Sequence, residues 1–83
     1  MNDFEWDQTA MALIGHALCE DVDASAALLG PLEPEDLREV AERLADILAK
    51  TLLEEAADAG VDRDEVVSSW QTCILQHAAQ QRP

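Results

Sequence analysis

An all-α domain, a small helical bundle of three main helices plus one short connecting helix, follows from three features of the sequence. Ala and Leu dominate, no segment shows the alternation or β-branched enrichment of a strand, and Gly, Pro and Asp punctuate stretches of helical periodicity. The 83 residues read as one acidic helical domain, 1-83, with no linker, low-complexity tract or internal repeat to divide it. At this length folding hides only about 60% of the unfolded chain's surface, so self-association would add to stability.

The first helix starts near Asn2 or Asp7 and runs to about Asp21; Asn2 followed three residues later by Glu5 has capping-box spacing. Its segment Thr9 to Cys19 carries no formal charge. There Phe4, Met11, Ile14 and Leu18 flank a second stripe of Trp6, Ala10, Leu13 and Ala17, an apolar arc wide enough to be covered on two sides. That width predicts either a central bundle helix or a homodimer contact through helix one. Asp23 reads as the N-cap of a short helix from Ala24 to Leu29, which Gly30-Pro31 stops. Pro34 suits the first turn of a long third helix from Glu35 to about Ala59, with Gly60 just beyond its end. Asp62 with Glu65 repeats the capping-box spacing and opens a fourth helix that reaches roughly Gln80.

The third helix has the clearest pattern. Leu37, Val40, Ala41, Leu44, Ile47, Leu48, Thr51 and Leu52 fall on one core-facing stripe. On the outer face Arg38 precedes Glu42, Glu39 precedes Arg43 and Asp46 precedes Lys50, each by one turn. Such pairs add only about 0.2–0.5 kcal/mol each and leave that face of mixed sign.

Charge is distributed unevenly along the chain. The first 37 residues hold nine carboxylates and no Lys or Arg, so they carry −9 of a total −13. This argues against direct nucleic-acid or anionic-membrane binding and favours a basic protein surface as partner. No apolar run approaches the ~18 residues of a membrane span, and the N-terminal residues lack the basic region of a secretory signal, which points to the cytoplasm. Two cysteines are too few for a disulfide scaffold.

Residues with catalytic or metal-binding chemistry are sparse. His16-x-x-Cys19 and Cys73-x-x-x-His77 each place a Cys and a His on one helix face, and two Cys with two His form a familiar zinc set. The same residues also suit ordinary packing or a Cys19 to Cys73 disulfide. Neither histidine has a Ser or Asp placed to make a triad, and no glycine-rich phosphate loop is present, so no enzyme and no cofactor are expected. Asp21-x-Asp23-x-Ser25 imitates the opening of a calcium loop, but Ala26 stands where glycine is required and Leu32 where the bidentate Glu belongs. In size and acidity the chain resembles the acyl carrier proteins, whose phosphopantetheine arm sits on the serine of an Asp-Ser-Leu motif. The corresponding segment here is Asp23-Ala24-Ser25-Ala26, which departs from that motif on both sides of Ser25.

The acids separate into two groups by position. Asp3, Glu5, Asp7, Glu35, Asp36, Asp62, Asp64 and Glu65 lie in or beside first turns, where the helix dipole favours negative charge by about 0.3–1 kcal/mol each. Glu20 and Asp21 at the end of helix one, and Glu54, Glu55 and Asp58 at the end of helix three, stand where the dipole disfavours them. An up-down-up bundle would gather Glu54, Glu55, Asp58 and Asp62 with the start of helix one at a single negative pole. Glu54, Glu55, Asp58, Asp62, Glu20 and Asp21 are therefore the candidate partner-binding residues. The expected function is a non-enzymatic module that docks on a basic protein surface and modulates it, as an inhibitor of a nucleic-acid-binding protein would. The alternatives are an assembly protein joined through helix one and a small zinc-stabilised regulator.

Overall fold

The computed structural model describes residues 1–81. It contains four helices, α1 (Asp3–Leu18), α2 (Val22–Leu29), α3 (Pro34–Asp58) and α4 (Arg63–Gln80), and no strand among the described residues. Three long helices and one short connector are thus present. The chain divides into two compact units, Met1–Ile47 and Leu48–Pro83, with the boundary inside α3.

The helix ends follow local chemistry. The Asn2 side chain accepts the Glu5 amide at 2.9 Å and starts α1. The first helix stops three residues before the expected Asp21, because the Glu20 amide bonds to the Ala17 carbonyl and the Asp21 amide to that of His16. This is a Schellman closure, and it forces Glu20 to φ = +55°, the left-handed region that glycine favours. Asp21, not Asp23, caps α2: its Oδ1 accepts the Ala24 amide at 3.0 Å, and Asp23 lies inside the first turn. The end of α3 closes in the same way, with Val61 bonded to Ala56 and Gly60 to Ala57; there a glycine occupies the left-handed position at φ = +77°. Asp62 then caps α4 by accepting the Glu65 amide at 3.0 Å.

A non-glycine residue in the left-handed region costs roughly 1–2 kcal/mol. Glu20→Gly is accordingly expected to raise the unfolding free energy by about 1 kcal/mol in urea titrations, part of the relief being offset by the freer unfolded chain. Glu20→Gln keeps the strained backbone and should change stability by a few tenths at most. Equal gains from both would show that charge, not backbone, governs this turn.

In unit 1, α1 and α2 pack together, and the fully buried residues are Ala10 of α1 and Val40 of α3. Trp6, Leu13, Ile14, Leu28, Leu29, Leu32 and Leu44 are half-buried around them. Of the α3 stripe predicted to face a core, Val40 is buried and Leu44, Ile47 and Leu52 are half-buried, whereas Leu37, Ala41, Leu48 and Thr51 are exposed. In unit 2 no described residue is fully buried.

Arg43 ties the start of α1 to the first half of α3. Its Nη1 donates to Asp7 Oδ1 at 3.0 Å and its Nη2 to Asp3 Oδ1 at 2.8 Å, and Glu39 Oε2 stands 3.9 Å away. The guanidinium also lies over the Trp6 ring at 5.4 Å, while Trp6 Nε1 donates to Asp36 Oδ1 at 3.0 Å. These bonds to Asp3 and Asp7 push the Arg43 pKa further above its ordinary value, so the clamp stays charged. Within unit 1 the start of α1 is held by Asp36, through Trp6, and by Arg43, through Asp3 and Asp7, so these two first-turn acids share one cation.

Candidate protein-docking site

The strongest unpaired charge in unit 2 lies where α3 ends and α4 begins. The final turns of α3 carry Glu54, Glu55 and Asp58 with no base in the last turn, and the cap and first turn of α4 add Asp62, Asp64 and Glu65. Only Lys50 and Arg63 oppose them among the described residues of this unit. All six acids are exposed.

Local structure accounts for half of this cluster. Asp62 is spent on the α4 cap, and Asp64 and Glu65 face the positive end of the α4 dipole. Glu54, Glu55 and Asp58 have no such explanation. They sit at the negative end of α3, where each unfavourable charge costs roughly 0.3–1 kcal/mol. Asp58 also follows Glu54 by four residues and Glu55 by three, which are like-charge spacings that destabilise a helix. Among the described residues none of the three closes an ion pair or a side-chain hydrogen bond.

The remaining candidates lie in unit 1. Asp21 is explained by its cap on α2 and no longer counts as a misplaced charge. Glu20 is exposed, strained and at the end of α1, so it keeps its anomalous character. Neither Arg38 with Glu42 nor Asp46 with Lys50 closes to ion-pair distance among the described residues, whereas Glu39 with Arg43 approaches to 3.9 Å.

The Cys and His pairs are placed on helices of different units. His16 is half-buried, Cys19 and Cys73 are exposed free thiols, and His77 is exposed. Among the described residues no three His, Cys, Asp or Glu side chains come together to hold a metal ion. Cys73 and His77 instead border a shallow apolar depression on α4 with Trp70 and Ile74. No helix among the described residues is long and apolar enough to cross a membrane.

Sequence reasoning missed the Arg43 clamp and the exposure of α4. The clamp joins residues 30 to 40 positions apart, and no periodicity encodes such pairing. The free alignment of Asp3 with Asp7 on one face of α1 was its only local trace. Compared with known proteins, the chain matches no family model, no curated protein and no solved structure.

Proposed function

We propose that this chain is a non-enzymatic acidic docking module, and that Glu54, Glu55 and Asp58 on the closing turns of α3 engage a basic surface of a partner protein and modulate it. The observation that carries this reading is their position: exposed, in no ion pair among the described residues, at the helix end where charge of that sign is least stable. Three unfavourable charges that no cap or ion pair explains are available to a cationic partner, whose approach would relieve both dipole and mutual repulsion. Asp62, Asp64 and Glu65 enlarge the same negative field, and Glu20 supplies a further anomalous acid in unit 1. A partner that ordinarily binds nucleic acid fits this chemistry, because carboxylates would then compete with phosphates for the same Lys and Arg side chains.

The test is association kinetics with a Lys/Arg-rich nucleic-acid-binding domain as probe, measured across a salt series with and without duplex DNA. Fast association at low salt that slows steeply as salt rises, together with displacement by DNA, supports the docking reading. Salt-independent association, or binding that DNA leaves untouched, contradicts it.

A further inference from the structure

Unit 1 leaves one face of α1 in solvent. Phe4 is 69% exposed, Met11 56% and Leu18 81%. Their spacing of seven residues sets all three on one stripe about 21 Å long, well round the helix from Trp6, Ala10 and Leu13, which are half-buried or buried. Gly15 stands on the same stripe between Met11 and Leu18. Glycine is the poorest helix former after proline, and packing within this chain does not require it: a Cβ added at Gly15 would meet nothing within 4 Å beyond its own helix backbone. The result is a notch in an apolar stripe, where another helix can approach more closely than a side chain would allow.

Charge marks the two ends of the stripe differently. At the Phe4 end, Asp3 and Asp7 are bound by Arg43. At the Leu18 end, Glu20, Asp21 and Asp23 are exposed and in no ion pair among the described residues. Leu18 and Val22, the latter 77% exposed, bracket Glu20 and Asp21, so apolar and acidic surface meet at one corner. No Lys or Arg precedes Arg38.

We propose that this stripe docks an amphipathic helix of a partner protein, whose apolar side chains cover Phe4, Met11 and Leu18 and whose Lys/Arg-rich end meets Glu20, Asp21 and Asp23. Charge complementarity chooses the occupant. A second copy would bring the same three acids and no base from this segment, and an anionic membrane would be repelled. A cationic amphipathic helix answers both halves of the surface, because anchors at a helical repeat fit the stripe and basic side chains find acids that the chain leaves unpaired. Gly15 is where the two helices come closest. This contact lies in unit 1 and shares no residue with the end of α3, so either surface can fail alone.

The test is binding of a synthetic peptide to the full chain at 0.15 M salt, followed by fluorescence anisotropy of the labelled peptide. The probe is a helical peptide with Leu at every third or fourth position and Lys in its closing turns; one control replaces Lys by Glu, the other Leu by Ala. The Leu/Lys peptide is expected to bind at least tenfold more tightly than either control. Met11→Gln with Leu18→Gln, which alters side chains already in solvent, should weaken it tenfold or more. Gly15→Gln should raise the melting temperature, since Gln is the better helix former, yet weaken the peptide by a similar factor; a purely structural role for Gly15 predicts no such loss. Neutralising Glu54, Glu55 and Asp58 should leave this affinity within twofold, which separates the stripe from the end of α3. Equal binding of the Lys and Glu peptides, binding unchanged by the Met11/Leu18 double variant and by Gly15→Gln, or loss caused only by the α3 variant or by Ile74→Ser would overturn the proposal.

Discussion

Replacing Val40 by Ala is expected to lower the stability of unit 1 by about 2 kcal/mol, since two buried methyl groups are worth roughly 0.8 kcal/mol each and the cavity they leave adds to the loss. Val40 is 2% exposed, and with Ala10 it makes up the fully buried interior among the described residues. Small domains hold only about 0.05–0.15 kcal/mol of stability per residue, so a change of this size is a large fraction of what unit 1 possesses. Val40→Asp should unfold it outright, because an unpaired carboxylate in that position costs several kcal/mol. Urea denaturation followed by Trp6 fluorescence in a Trp70→Phe chain isolates the response of unit 1. An unchanged midpoint for Val40→Ala would mean that the interior of this unit lies elsewhere.

Local interactions were legible in the sequence, and tertiary ones were not. The Asn2 and Asp62 caps, the Gly60 stop and the approach of Glu39 to Arg43 all involve partners within one helical turn or one tight turn, so residue type and spacing specify them. The end of α1 was misplaced because Glu20 adopts the conformation for which glycine is the usual signal. That displacement moved the α2 cap from Asp23 to Asp21 and removed Asp21 from the set of unexplained acids. Periodicity identified which residues of α3 and α4 are apolar, but it cannot say whether anything covers them: Val40 and Ile74 carry the same signal, one buried and the other 54% exposed. Likewise Asp3 and Asp7 looked like dipole-favoured first-turn acids, and only the fold shows that Arg43 binds both.

The acids at the end of α3 survive this sorting. Capping accounts for Asp21 and Asp62, and ion pairing accounts for Asp3 and Asp7. Glu54, Glu55 and Asp58 are left with a position that local energetics disfavour and a partner would reward. If these three acids serve docking, then charge at this corner must matter more than the same charge elsewhere on the chain.

Two triple variants of equal net charge test that claim most directly, with association rates to the Lys/Arg-rich probe measured at low salt by stopped flow. The first is Glu54→Gln, Glu55→Gln and Asp58→Asn; the second is Glu35→Gln, Glu42→Gln and Asp46→Asn, which spares the Arg43 clamp and alters a helix face that also carries cations. The first variant is expected to slow association about tenfold or more while dissociation changes little, in keeping with the range of electrostatic steering, and to keep its helix content unchanged or slightly raised. The second should slow association by a clearly smaller factor. Equal slowing by both would show that total charge alone governs binding, and unchanged association of the first would remove the end of α3 from the interface.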